Sequence, residues 1–141
     1  MRNHTKPRTF ILSAFKGDRP IELNELNHQA LCAALAFRNT PFGEGKGCFE
    51  GEIERCVVVT GASNERLVQE LCYRFNQDSY LAISEHDREV YLVDTETLYF
   101  TSLGGLVSSG TIRPDASAWT LVDGEYYTTD GNAGPNLPTG F

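Results

Sequence analysis

The chain has 141 residues, of which 40% are hydrophobic and 22% charged, which fits one ordinary globular domain with its own core. Its net charge of −7 argues against a nucleic-acid partner, because contacts to phosphates need clustered lysine and arginine. No apolar run reaches the roughly 20 residues that span a bilayer, and the first residues lack a signal-peptide core. We therefore expect a soluble, cytoplasmic protein that binds neither nucleic acid nor membrane.

The first predicted elements are a strand and a helix. Residues 9–15 are apolar on both faces, which is typical of a central strand. Residues 24–38 predict a helix with Asn24 as its N-cap. At helical spacing, this helix would bury Leu23, Leu26, Ala30, Ala34 and Phe37.

A second strand and a second helix follow. Residues 39–47, with three glycines and a proline, predict a loop, and the valine-rich residues 53–60 predict a buried strand. Ser63 is a candidate cap for the next helix, and Asn76 is a candidate left-handed stop. The buried stripe of this helix would comprise Leu67, Val68, Leu71, Cys72 and Phe75.

The rest of the chain predicts strands joined by short turns. Three candidates, residues 79–83, 89–94 and 97–103, favour antiparallel pairing. Asp123-Gly124 predicts a tight hairpin between residues 119–122 and 125–128. Residues 1–8 and 131–141 are expected to be irregular. The fold class is therefore α+β in one domain spanning residues 1–141, with a mainly antiparallel sheet and two helices on one face.

Cysteine and histidine give no metal or nucleophile motif. Cys32, Cys48, Cys56 and Cys72 form no Cys-x-x-Cys pair, so we interpret them as small buried hydrophobic residues. The three histidines, His4, His28 and His86, are scattered and are interpreted as surface or helix residues. We predict no metal ligands.

Two polar features are less ordinary. Glu54 lies three residues before the valines of a strand that otherwise looks buried, where an unpaired carboxylate is costly. The other is Asn76-Gln77-Asp78, at the junction of a helix and a strand, where polar side chains can line a cleft or simply make a turn.

Together these segments resemble the S-adenosylmethionine lyases of coliphages, formerly called hydrolases. The resemblance covers roughly residues 9–93 and consists of short matches in the same order. They are Leu12-Ser13-Ala14-Phe15, Gly47-Cys48-Phe49, Glu54 before the valines, Leu71-Cys72, and Gln77-Asp78 before Leu81. The elements around Glu54 and Gln77 are also similar to an uncharacterised bacterial domain family.

The resemblance implies roles for individual residues. It places the essential carboxylate on Glu54 and substrate-binding groups on Gln77 and Asp78. It also places Phe49 where the family has a tyrosine, so that the ring is kept and the hydroxyl lost. Backbone groups from Ser13 through Ala14 to Phe15 would help line the site. The family further implies a homotrimer with active sites between subunits.

The reaction implied by the family uses no cofactor. The carboxylate of S-adenosylmethionine attacks its own γ-carbon, which releases 5′-methylthioadenosine and forms homoserine lactone. In a phage this would serve anti-restriction by depleting the methyl donor in the host cytoplasm. Two alternatives stay open from the residues alone: a non-enzymatic small-molecule-binding module and an acidic anti-restriction protein that mimics DNA.

Overall fold

The computed structural model describes residues 8–49, 52–116 and 118–130, without the side chain of Phe49. Its strands and helices are β1 (Arg8–Leu12), α1 (Ile21–Phe37), β2 (Gly43–Phe49), β3 (Glu52–Thr60), α2 (Glu65–Arg74), β4 (Ser79–Ser84), β5 (Glu89–Asp94), β6 (Phe100–Gly110), β7 (Ala118–Val122) and β8 (Glu125–Thr129). The predicted irregular segments lie outside the described residues, except for Arg8, which begins β1.

The strands form a closed barrel in the order β1-β3-β2-β7-β8-β6-β5-β4, and β4 pairs with β1 to close it. Every pairing is antiparallel. The prediction of a mainly antiparallel sheet with two helices is therefore confirmed. The sheet is not open, however. Its closure leaves an internal lumen, which an open sheet with one covered face would not have.

The prediction of a loop over residues 39–47 is wrong, because β2 begins at Gly43 and pairs with both β3 and β7. A Cβ atom at Gly45 would lie 2.6 Å from the carbonyl oxygen of Leu121. Glycine is thus what lets the backbone of β7 approach β2 so closely. Gly45, one of the glycines that suggested a loop, is instead required by strand packing.

The two helices pack on the outside of the barrel through one core. Side chains that point outward from the strands, including Phe10, Val57 and Val59, meet Leu31 and Leu35 of α1. The same core includes four residues of the predicted α2 stripe, Leu67, Val68, Leu71 and Cys72, and the fifth, Phe75, packs against it half-buried. Side chains alternate along a strand, so the residues on either side of Val57 point the opposite way, into the lumen.

The orientation predicted for α1 is wrong. Its buried residues are Asn24, His28, Leu31 and Leu35. Leu23, Leu26, Ala30 and Phe37 are exposed instead, and of the five predicted residues only Ala34 packs against the core, half-buried. The helix begins at Ile21 and Asn24 is not its N-cap, because both polar atoms of the Asn24 side chain bind the backbone of Lys16. Two polar residues, Asn24 and His28, are therefore part of the inward face of α1.

Several predicted boundaries also change. β1 ends at Leu12, so residues 13–15 are not strand, and the strand predicted over residues 97–103 starts at Phe100 and continues to Gly110. Ser63 lies in a short 3-10 turn and makes no capping hydrogen bond. Asn76 does adopt the left-handed conformation, with φ of 58°, which confirms the predicted stop.

The predicted hairpin is confirmed. Asp123 and Gly124 both have positive φ, and they join β7 to β8 as a tight hairpin. All four cysteines are free thiols; three are buried and Cys32 is half-buried. Neither helix in the described part of the chain is long and apolar enough to cross a membrane.

Candidate active site at one end of the barrel lumen

A cavity of about 500 Å³ opens at one end of the lumen, where β1 ends and β3 and β4 begin. This volume lies within the roughly 300–1,000 Å³ typical of small-molecule sites. Five of the seven predicted site residues line it: Ser13, Phe15, Glu54, Gln77 and Asp78. Residues that are up to 65 positions apart in the sequence are thus gathered around one space.

Glu54 lies on β3 opposite Gly47 of β2, on the side of the strand that faces the lumen. Its side chain is partly buried, and no hydrogen bond or ion pair to it is found among the described residues. Burial raises the pKa of Glu54, and the negative charge of Glu52 raises it further. A carboxylate in this setting is stabilised by any cation or hydrogen-bond donor that enters the cavity.

Residues 13–16 form the irregular segment that follows β1, and side chains from three parts of the fold fix its position. The Ser13 hydroxyl donates to the carbonyl oxygen of Arg55 at 2.8 Å and accepts from the Phe15 amide at 3.0 Å. The Asn24 side chain accepts from the Lys16 amide and donates to the Lys16 carbonyl, both at 2.9 Å. Ala14 is fully buried in the core under the helices and does not line the cavity.

Gln77, in the connection between α2 and β4, fixes the same segment. Its Nε2 donates to the carbonyl oxygen of Phe15 at 2.9 Å, and its own amide donates to the Cys72 carbonyl at the end of α2. The structure therefore gives Gln77 a positioning contact with the chain itself. Asp78 is largely exposed at the cavity rim, with Oδ1 4.0 Å from Nζ of Lys16.

Phe49 ends β2, and its backbone pairs with Glu52 across the hairpin from β2 to β3. The predicted role of Phe49 in substrate binding concerns its side chain, which is not described, and residues 50 and 51 also lie outside the described residues.

Sequence reasoning missed three charged groups at this cavity: Lys16, Asp18 and Glu52. The signal for Glu52 was present, because residues two apart on a strand face the same side and Glu52 precedes Glu54 by two. Together with Glu54 and Asp78, the described lining holds four carboxylates and one lysine ammonium. The cavity therefore favours a cationic ligand.

The described lining offers no activated nucleophile. Cys56 faces the same cavity, but burial, and then the charge of Glu54, raise its pKa to about 12. The thiol is thus neutral at physiological pH, and the thiolate is the reactive form. The arrangement is suited to binding and orienting a cation whose own groups react.

The family model described as the S-adenosylmethionine lyase family matches residues 10–130, which is most of the chain. A search of curated proteins found no match.

Proposed function

The chain belongs to the S-adenosylmethionine lyase family, and on that premise we propose that it converts S-adenosylmethionine to 5′-methylthioadenosine and homoserine lactone. An oxygen of the substrate carboxylate attacks the γ-carbon and forms the ring C–O bond. The bond between that carbon and the sulfonium sulfur breaks, and its electron pair stays on sulfur. No proton is transferred, so the step needs no general base from the protein.

The observation that carries the proposal is the half-buried carboxylate of Glu54, which has no cationic partner among the described residues and faces a cavity rich in carboxylates. A substrate that carries both a sulfonium and an ammonium group supplies the positive charge that this wall lacks. The opposite charges of carboxylate and sulfonium cancel as the ring closes, so a drier site favours the reaction relative to water.

The chemistry restricts what Glu54 can usefully contact. The sulfonium loses its charge during the reaction, so an anion placed against it would stabilise the bound substrate more than the transition state. The ammonium group and the ribose hydroxyls keep their character throughout. We therefore assign Glu54 to one of these groups, as an anchor that bends the methionine chain toward attack. Well-oriented intramolecular reactions reach effective molarities of about 10⁵–10⁸ M.

Turnover in ¹⁸O-labelled water, quenched early and analysed by mass spectrometry, tests the proposal. Both lyase and hydrolase chemistry yield 5′-methylthioadenosine, so the second product must be identified. Unlabelled homoserine lactone as the first product is the expected result. Early homoserine with the label on its side-chain hydroxyl would make the enzyme a hydrolase. If neither product forms while S-adenosylmethionine still binds, the binding-module alternative replaces the lyase.

We also propose a homotrimer with active sites between subunits, as the family implies. Support comes from the outer face of α1, where Leu26 is 61% and Phe37 is 86% exposed. An oligomer would remove such apolar side chains from water. Light scattering coupled to size exclusion measures the state directly. A monomer of 15.6 kDa that turns over substrate would rule out a shared site.

The proposed biological role is to deplete the methyl donor of an infected bacterium, and so to block restriction and methylation in the host cytoplasm. Expression of the wild-type chain in bacteria should lower cellular S-adenosylmethionine and protect incoming unmodified DNA. The Glu54→Gln chain should do neither. Protection by the inactive chain would instead favour the acidic protein-binding alternative.

A further inference from the structure

Three potential metal-ligand atoms converge between α1 and β2, on the outside of the barrel. His28 and Cys32 are one turn apart on α1, so they share the face that meets Glu44 of β2. Nε2 of His28 lies 2.8 Å from Oε1 of Glu44 and 3.5 Å from Sγ of Cys32. All three potential ligand atoms lie within 4.8 Å of one another.

The separation between the sulfur and nitrogen ligands fits a tetrahedral ion. With Zn–S bonds of about 2.3 Å and Zn–N bonds of about 2.0–2.1 Å, tetrahedral geometry puts sulfur and nitrogen roughly 3.5 Å apart. This is the separation between Cys32 and His28. Without the ion, the His28 nitrogen and the Glu44 carboxylate oxygen are hydrogen-bonded. Around the ion they would move apart by about half an ångström, to roughly 3.3 Å. Glu44 is half-exposed, so a small rotation of its side chain is free to provide this.

We propose that His28 Nε2, Cys32 Sγ and Glu44 Oε1 bind a Zn²⁺-type divalent ion, with the fourth position open to water. Imidazole, thiolate and carboxylate together suit a borderline ion such as zinc rather than magnesium or calcium. Binding would displace the Cys32 proton to solvent. It would also break the hydrogen bond between His28 and Glu44, because the proton on Nε2 would move to Nδ1, which has no partner among the described residues, and the neutral ring would bind the ion through Nε2. The exposed side of Glu44 is the path by which the ion enters.

Arg55 supplies the outer contact that such a site needs. Its Nη2 lies 3.0 Å from Oε1 of Glu44, and its Nη1 lies 2.6 Å from Glu25. With Oε1 on the ion, the guanidinium can donate to the other oxygen of Glu44 while Glu25 keeps Arg55 in place. Hydrogen-bonded outer partners of this kind orient ligating carboxylates.

The ion would join α1 to β2 directly behind the candidate active site. The ring of His28 meets the ring of Phe15 edge to face at 6.4 Å, and the Phe15 carbonyl is the one held by Gln77. Metal binding would therefore stabilise the wall that carries residues 13–16. The proposed metal site takes no part in ring closure and is independent of the proposed function.

Titration of the metal-stripped, full-length protein with Co²⁺ tests the site, because thiolate ligation gives Co²⁺ a charge-transfer absorption band. We expect one Co²⁺ per chain, displaced by Zn²⁺, and a higher melting temperature with either ion. Cys32→Ser and Glu44→Gln should each weaken binding beyond the roughly 10–100-fold loss seen when only an outer partner is removed. A wild-type titration without the thiolate band would overturn the proposal.

Two matched variants control for nonspecific effects. Cys48→Ser removes a buried thiol outside the cluster, and Glu70→Gln removes a carboxylate that pairs with Arg38 and not with Arg55, which leaves the three ligands and their outer contact. Both should keep the band at full intensity. Protection of the wild-type Cys32 from alkylation by Zn²⁺, mapped by peptide mass spectrometry, needs no variant at all. Equal alkylation of Cys32 with and without Zn²⁺ would also refute the site.

Discussion

The two ends of the barrel lumen have similar volumes but carry different charge. The candidate active site holds about 500 Å³, and the cavity at the other end about 440 Å³. The first is lined by four carboxylates and one lysine, whereas the second is lined largely by aliphatic side chains such as Ile83 and Val90, with Glu85 and Arg88 of opposite sign. Charge, and not volume, therefore distinguishes the site for a cationic substrate from the apolar cavity.

One strand shows how abruptly the lumen changes. The inward positions of β3 run from Glu52 and Glu54 through Cys56 to Val58, and Val58 lines the apolar cavity. At about 3.3 Å per residue, Glu54 and Val58 are only some 13 Å apart. The same strand thus supplies a charged wall and an apolar wall.

The largest effect is expected at Glu54. Glu54→Gln keeps the size of the side chain but removes the charge that anchors the substrate, so turnover should fall by about 10²–10³-fold or more. Val58→Leu adds apolar volume at the other end and should leave turnover unchanged. Initial rates of 5′-methylthioadenosine formation measure both. Near-normal turnover by a folded Glu54→Gln protein would show that the acidic end of the lumen does not anchor the substrate through Glu54.

A smaller loss is expected from Gln77→Ala. This change leaves the Phe15 carbonyl without its donor, at a cost of about 1–3 kcal/mol that should loosen the wall of the acidic cavity. Turnover should fall roughly ten- to hundredfold. Gln69→Ala is the matched control, because Gln69 makes a single side-chain bond, to Tyr80, away from residues 13–16. An equal loss in both variants would mean that Gln77 only stabilises the fold.

Substitutions at two glycines of β2 should separate an effect on activity from an effect on stability. A methyl group at Gly47 would find only the Trp119 carbonyl, at 3.9 Å, so Gly47→Ala should fold normally. It would enter the cavity opposite Glu54 and lower kcat/KM by about tenfold. Gly45→Ala would instead meet the Leu121 carbonyl at 2.6 Å and should destabilise the fold by about 1–3 kcal/mol. Thermal melting and kinetics on both variants check this, and full activity in Gly47→Ala would contradict it.

The smallest effect concerns stability and pH. Because burial raises the pKa of Glu54, the folded state favours its protonated form, and ionisation above that pKa lowers the free energy of unfolding. Glu54→Gln cannot ionise, so without substrate it should be more stable than wild type at neutral pH. The difference should vanish below the ordinary glutamate pKa of about 4.3. Urea unfolding at several pH values measures it, and a less stable Glu54→Gln protein at neutral pH would be the opposite result.

Predictions from single residues succeeded where one residue constrains its own backbone. Asn76 takes the left-handed conformation at the end of α2, and Asp123-Gly124 makes the hairpin turn. Alternation along β3 likewise places Glu54 on the face opposite the outward valines. These features depend on local sterics and strand period, which a short stretch of sequence contains.

Predictions failed where contacts with residues distant in the sequence determine the local structure. β2 looked like a loop because its glycines carry no strand preference, but it pairs through Gly47 with Thr120 of β7. The apolar residues of α1 allowed more than one inward face, and the bonds from Asn24 to Lys16 and from His28 to Glu44 selected one that the apolar pattern alone did not predict.

The sequence by itself therefore determined most strands, the α2 stripe, the free cysteines, the family and the residues proposed for the site. Only the tertiary structure decided that the sheet closes, that the closure leaves an acidic and an apolar cavity, and that Gln77 and Asn24 fix residues 13–16. The physical reason is the range of the interactions. Backbone preference acts within a few residues, whereas β4 joins β1 across about 70 residues and gains its energy only when the whole barrel forms.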